Sequence, residues 1–295
     1  MFLPIRMIAA DLDGTLLCEQ NTISPATLRA ISAAARLGVR IVPATGRIFS
    51  ELSQVLCQLP EAEYLVTANG AAVMTREREV LWGNCISPQL LGRVMSVVKN
   101  RHTFAEVTME DGRSYSEREE MQRMSDFGVR DDFFESIFAC VEPVDGLSGF
   151  LRRLNQPAAK IYLSFSSQEQ RRLAWRELEA LGGLYVTTSM ENNLELAAAG
   201  SGKAQGLRAL CGILKIDPGE VLALGDNHND AGMLRLAGIG VAMGNATKEA
   251  LQAADYVTAA CDKDGAAGAI ERFVLNACAG KDDLVGVADL SREGL

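Results

Sequence analysis

The sequence predicts an α/β fold, with a parallel sheet whose two halves are separated along the chain by an inserted α+β unit. Three observations carry this. Short apolar runs alternate with amphipathic helical patterns over residues 1–83 and again over 191–277. The stretch between them, 84–190, reads as hairpins mixed with helices. A chain of 295 residues also exceeds an ordinary domain of about 100–200 and suits two. Residues 278–295 are polar and form an expected tail.

Residues 6–10 make an apolar strand running into Asp11. Ser24-Pro25 then offers an N-cap with proline in the first turn, Leu28, Ile31 and Ala35 share one helical face, and Gly38 supplies a left-handed stop. Residues 39–44 and 64–68 are the next two strands. In the insert, Ser87-Pro88 opens a helix with Leu91, Val94, Met95 and Val98 on one face. Residues 103–109 and 113–116 read as a hairpin turning at Asp111-Gly112, followed by a weakly patterned charged stretch, 117–135. A strand at 158–165 and a helix at 168–181 lead to a second hairpin, 184–189 with 194–198. Beyond it, Leu207, Leu210, Cys211 and Leu214 recur at helical spacing. A strand at 221–224, a short helix through Met233 and Leu236, and strands at 239–243 and 255–258 complete the pattern. Strands alternating with helices pair in parallel through right-handed crossovers, which is a Rossmann-like core.

Lys and Arg number 29 against 38 Asp and Glu, a net charge of −9. A field of that sign repels nucleic acid and anionic lipid, so neither is an expected partner. No stretch approaches the ~18–20 apolar residues of a membrane helix, and the start of the chain has no leader pattern. The seven cysteines are scattered without a Cys-x-x-Cys pair. They are expected to be reduced thiols of a cytoplasmic protein rather than a disulfide framework. Nothing in the pattern indicates an oligomeric partner.

Open α/β sheets place their ligands at the carboxyl ends of the strands. Those ends carry Asp11-Leu12-Asp13-Gly14-Thr15-Leu16, Thr45-Gly46-Arg47, Ala68-Asn69-Gly70, Gly225-Asp226-Asn227-His228-Asn229-Asp230 and Gly244-Asn245. Asp11 and Asp13, two apart in extended chain, point the same way, and paired carboxylates need a cation or a shared proton. Asp226 and Asp230 add hard oxygen ligands, and the chain holds just two histidines, His102 and His228, so the donor set suits Mg²⁺. Thr45-Gly46 offers a hydroxyl and an approachable N–H, and Lys203 places an ammonium at a helix start, the groups that hold a phosphate. Taken singly, each aspartate or Thr45 also serves as a helix cap, and Lys203 as a solvated lysine. Their convergence on one rim points to a site. Gly200-Ser201-Gly202-Lys203 fails as a phosphate-binding P-loop, since alanine stands at both 197 and 204.

These residues resemble the haloacid dehalogenase-like superfamily, and within it the Cof-type phosphatases, which carry a large α/β lid between the third and fourth core strands. Asp11-Leu12-Asp13-Gly14-Thr15-Leu16 matches the first motif, Thr45-Gly46-Arg47 the second, Lys203 the third-motif lysine, and Gly225 to Asp230 followed by Met233-Leu234 the fourth. Gly240 to Ala246 and Asp264-Gly265 are also similar. The setting of the lysine, Ser201-Gly202-Lys203-Ala204-Gln205-Gly206, departs from the usual one. The resemblance implies hydrolysis of a small-molecule phosphate ester, such as a sugar phosphate or phosphorylated cofactor, through an aspartyl-phosphate. Asp11 is the implied nucleophile and Asp13 the acid and base. Mg²⁺ is implied on Asp11, the Asp13 carbonyl and Asp226, with Asp230 ligating it or steadying its waters. Thr45, Gly46, Lys203 and Asn229 would hold the phosphoryl group, Arg47 would contribute from the core, and the lid would choose the rest of the substrate. A phosphomutase using the same intermediate, or a non-catalytic sensor of phosphorylated metabolites, are the alternatives. A sensor has no need of Asp11, Asp13, Lys203 and Asp226 together.

Overall fold

Met7, Ile8, Ala9 and Ala10 are all buried, without the alternation of a half-exposed strand, because their sheet is covered on both faces. The computed structural model describes residues 4–18, 21–99, 101–129, 134–188 and 190–276. In it, Met7–Ala10 lies inside a five-stranded parallel sheet. The order is Tyr256–Val257, Ile239–Ala242, Val221–Gly225, Met7–Ala10, Arg40–Pro43. Met7 is in register with Val221 on one side and Arg40 on the other, so strands from the two ends of the chain are direct neighbours. Helix Pro25–Arg36 begins where expected, the Ser24 hydroxyl accepting from the Thr27 N–H.

The chain divides into two compact units. One takes in residues up to Gly46, Leu52–Trp82, and the chain from Gly202 onward; the other holds Arg47–Glu51 and Gly83–Ser201. In the first unit, the strand expected at 64–68 forms as Tyr64–Thr67 but heads a separate three-stranded sheet with Ala72–Thr75 and Val80–Gly83. A single parallel bridge, Ala44 to Val66, links it to the main sheet.

The second unit is built on a six-stranded sheet, ordered Leu184–Thr187, Asn193–Ala198, Ala158–Phe165, Thr103–Met109, Ser114–Glu117, Val141–Val144. All neighbours are antiparallel except the last pair. One face is apolar, with Val107, Ile161, Leu163, Leu194 and Leu196 packed against Leu91 and Val94 of helix Pro88–Val98 and against Leu178 of helix Gln168–Ala180. The other face carries Glu106, Lys160 and Glu195, with Lys160 Nζ 2.9 Å from the Glu195 carboxylate.

Several expectations shift. The boundary drawn at 190/191 falls at Ser201/Gly202, because Asn193–Ala198 pairs with Ala158–Phe165 rather than with the parallel sheet. Arg47, expected in the core, belongs with the inserted unit. Its segment is held there by Phe49, which lies against Gly112, and by Ser50, whose carbonyl accepts from the Cys140 thiol at 3.7 Å. After the charged stretch, helix Phe134–Cys140, strand Val141–Val144 and helix Leu147–Leu154 were not anticipated. The expected tail, 278–295, lies outside the described residues. The expectation of uniformly reduced thiols is also corrected. Cys18 and Cys261, separated by 243 positions, form a disulfide with Cα atoms 5.6 Å apart, whereas Cys57, Cys85, Cys140 and Cys211 are not disulfide-bonded. Only the fold brings so distant a pair together.

Candidate active site

Asp11 is the first residue past its strand, and its backbone N–H donates to the Leu224 carbonyl at 3.0 Å, extending the ladder to the sheet's rim. The chain then turns sharply at Gly14, whose φ is +83°. A Cβ at Gly14 would stand 2.4 Å from Asp226 Oδ2, so close approach and a left-handed backbone both require glycine there. Thr15 Oγ1 donates to Asp226 Oδ1 at 3.0 Å. Asn245 Nδ2 donates to the Gly14 carbonyl at 2.9 Å, and Asn245 Oδ1 accepts from the Cys261 N–H at 2.9 Å.

Lys203 is the first residue of helix Lys203–Leu214 and is 1 % exposed. Its Nζ lies 2.6 Å from Asp11 Oδ1 and 2.6 Å from Asp230 Oδ1. The altered glycine setting noted in the sequence still delivers it. Gly70 (φ +83°) lets the preceding turn approach so closely that a Cβ would meet the Gly202 carbonyl oxygen at 2.1 Å. Asp230 is fully buried, and its Oδ2 accepts the backbone N–H groups of Asp226 and Asn227 at 3.0 and 2.9 Å.

Carboxylate oxygens of Asp11, Asp226 and Asp230 all lie within 4.8 Å of one another. Burial pushes Asp11 up to about 7; Asp230 adds to the rise and Lys203 opposes it. Asp226 is raised for the same first reason, burial, with the Thr15 hydrogen bond opposing. Burial would lower Lys203, but Asp11 and Asp230 outweigh it and hold the ammonium above its ordinary range. One ammonium among three close carboxylates leaves a surplus of negative charge in a desolvated place. A divalent cation relieves that surplus, and an all-oxygen donor set fits Mg²⁺.

The other expected residues divide. Asp13 is exposed and stands outside the carboxylate triplet. Thr45 is fully buried. Its N–H donates to the Val66 carbonyl at 2.8 Å, and its own carbonyl accepts from the Asn69 N–H at 3.0 Å. Gly46 lies against the Asn69 side chain, since a Cβ there would be 2.9 Å from Asn69 Oδ1. Asn229 donates through Nδ2 to Asn69 Oδ1 at 2.8 Å, and its buried Oδ1 has no hydrogen-bond partner among the described residues. His228 is exposed and contacts Asn227 Oδ1 at 3.0 Å.

Asn69 is the residue whose part the sequence did not disclose. It follows Ala68 in left-handed backbone, at φ 55° after 49°, a conformation that asparagine tolerates better than most side chains. Asparagine before glycine at a strand end was the available signal.

The family model described as haloacid dehalogenase-like hydrolase matches residues 8–270. Among curated proteins, the chain is 30% identical over 276 residues to the 5-amino-6-(5-phospho-D-ribitylamino)uracil phosphatase YcsE of Bacillus subtilis (strain 168), covering 92% of this chain and 96% of that protein. It is 28% identical over 251 residues to the HMP-PP phosphatase of Cronobacter sakazakii, covering 83% and 86%. Among solved structures, the subclass IIB sugar phosphatase BT4131 superposes with a TM-score of 0.70 at 25% identity, covering 91% of this chain and 98% of that one. A buried lysine bridging Asp11 and Asp230, in a sequence matched along most of its length, identifies the chain as a haloacid dehalogenase-like hydrolase of the Cof type, a phosphoric monoester hydrolase.

Proposed function

We propose that the chain is an Mg²⁺-dependent phosphatase of small phosphorylated metabolites, acting through an aspartyl-phosphate on Asp11. The observation that carries this is Lys203 Nζ, 2.6 Å from Asp11 and from Asp230, beside a third carboxylate, Asp226. The substrates that name these relatives, 5-amino-6-(5-phospho-D-ribitylamino)uracil, HMP-PP and sugar phosphates, support the substrate class. Phosphate esters do not cross bilayers unaided, which supports a cytoplasmic site of action. The unit holding Gly83–Ser201 is read as the inserted cap.

In this reading Asp11 attacks phosphorus in line, and the P–O bond to the leaving alkoxide breaks. Asp13 gives its proton to that oxygen. It then takes a proton from the water that attacks the phosphoryl group, which releases phosphate and restores Asp11. The exposure of Asp13 suits a group that must exchange protons with both leaving group and water. Thr45, the Gly46 backbone, Lys203 and Asn229 hold the phosphoryl oxygens. Arg47, on the segment that clusters with the inserted unit, would contribute beside Gly46. Asp11, Asp226 and the Asp13 carbonyl would hold Mg²⁺, with Asp230 orienting Lys203 and the loop of Asp226. Bound there, the cation would neutralise charge on the phosphoryl oxygens. Like charges at ~4 Å repel by about 4 kcal/mol at an effective dielectric near 20, so a phosphate dianion needs this compensation.

Two measurements test the reading. Hydrolysis of p-nitrophenyl phosphate is expected to stop in EDTA and return with Mg²⁺; turnover indifferent to chelation would remove the metal from the mechanism. Asp13→Asn is expected to cost about 10²–10⁴ in the hydrolysis of alkyl phosphates. It should cost the first step less with p-nitrophenyl phosphate, whose leaving group needs no proton, so that phosphoenzyme accumulates after a burst. Equal losses for both esters, without a burst, would remove Asp13 as the acid.

A further inference from the structure

A cleft of about 830 Å³ lies wholly within the inserted unit, a size ordinary for small-molecule sites. Met95, Val98, Phe127 and Leu147, all buried, give it an apolar wall. Two polar atoms bordering it are orphaned. Thr103 is 5 % exposed, and its Oγ1 has no hydrogen-bond partner among the described residues. Glu120 accepts the Ala105 backbone N–H with one oxygen, while its Oε2 is buried and unpartnered. Buried polar atoms are nearly always satisfied, so two such oxygens beside one cleft point to a missing hydrogen-bonding partner.

The charges around the cleft show what that partner carries. Some are already used. The Glu117 carboxylate accepts the Gly146 and Leu147 N–H groups at 3.0 and 2.7 Å, Arg118 pairs with Asp145, and Arg123 with Asp126. Lys99, His102, Arg152 and Arg153 also line the cleft, are exposed, and form no ion pair among the described residues. Among these lining residues Lys99, Arg152 and Arg153 bring three unpaired cations, and Glu119 an exposed carboxylate that forms no ion pair among the described residues either, in a chain of net charge −9. Arg152 and Arg153, both on helix Leu147–Leu154 and both lining the cleft, carry guanidinium groups suited to an oxyanion.

We propose that this cleft binds a small polyhydroxylated oxyanion, its acidic group on Arg152 and Arg153 and a hydroxyl donating to the Glu120 carboxylate while accepting from the Thr103 hydroxyl. Such a ligand is a sugar acid or a sugar phosphate. The cleft is lined by the inserted unit alone, and the inference stands whether or not the phosphatase chemistry proposed above holds.

Titration calorimetry on the full chain in metal-free buffer tests this, with D-gluconate and inorganic phosphate as probes. Saturable one-to-one binding of gluconate is expected, tighter than that of phosphate. The double change Arg152→Glu with Arg153→Glu should weaken gluconate at least about tenfold, and Thr103→Val by about threefold or more. Thermal unfolding midpoints matching the unmodified chain establish that both variants fold. If Thr103→Val does not fold, Thr103→Ser, which keeps the hydroxyl, must retain gluconate binding. No saturable binding of gluconate, binding that survives the double charge reversal, or binding indifferent to Thr103→Val would each overturn the proposal. Phosphate binding as tightly as gluconate would do so too, since it would show a charge patch with no use for hydroxyls.

Discussion

Asp11→Asn is expected to lower turnover of p-nitrophenyl phosphate by about 10⁵-fold or more, because the covalent route disappears with its nucleophile. The fold should persist. Asparagine has the same shape and removes a charge that burial already disfavours, while Lys203 keeps Asp230 at 2.6 Å. The thermal midpoint is therefore expected to stay within about 3 °C of the unmodified chain. Rapid quench with labelled substrate should place the phosphoryl group on the Asp11 peptide of the unmodified enzyme and nowhere on the variant. Phosphate release near the normal rate by Asp11→Asn, or label recovered on another residue, would displace Asp11 from its role.

Lys203→Met should act on both stability and chemistry. It leaves carboxylates of Asp11, Asp226 and Asp230 within 4.8 Å of one another with no internal cation. Breaking a buried ion pair from one side costs about 3–5 kcal/mol, which lowers the midpoint of a domain this size by about 6–20 °C. Turnover should fall by about 10³-fold, since a donor to the transferring phosphoryl group is lost. Mg²⁺ ought then to raise the variant's midpoint more than that of the unmodified chain, having more uncompensated charge to neutralise. Melts in EDTA and in Mg²⁺ read this directly; an unchanged midpoint in EDTA would mean that Lys203 does not hold the cluster together.

The core was legible because its signals are local. The buried strand before Asp11, the Ser24-Pro25 helix start and the spacing of Asp226 and Asp230 each express a short-range rule. The inserted unit was legible only where its pattern was regular. Hairpin 103–116 could be read, but Phe134–Cys140 and Val141–Val144 could not, since a charged stretch of weak periodicity precedes them. The domain limit at Ser201 was missed because Asn193–Ala198 looks the same whichever sheet receives it; pairing with Ala158–Phe165 decides. In the site, Lys203 and the aspartates were visible by type and order. The contact of Asn229 with Asn69 was not, as it joins residues 160 positions apart. The disulfide escaped for the same reason.

That disulfide gives the split core a property that neither half has alone. Its parallel sheet is assembled from segments on either side of the insert, and Cys18 and Cys261 lie one in each. The oxidised chain is thus a closed ring through both. A single proteolytic nick anywhere in residues 83–201 would open the ring without parting the two core segments, whereas after reduction the same nick would leave them joined by contacts alone. In the chain-entropy picture, a ring of this circumference narrows the denatured ensemble by about 5 kcal/mol.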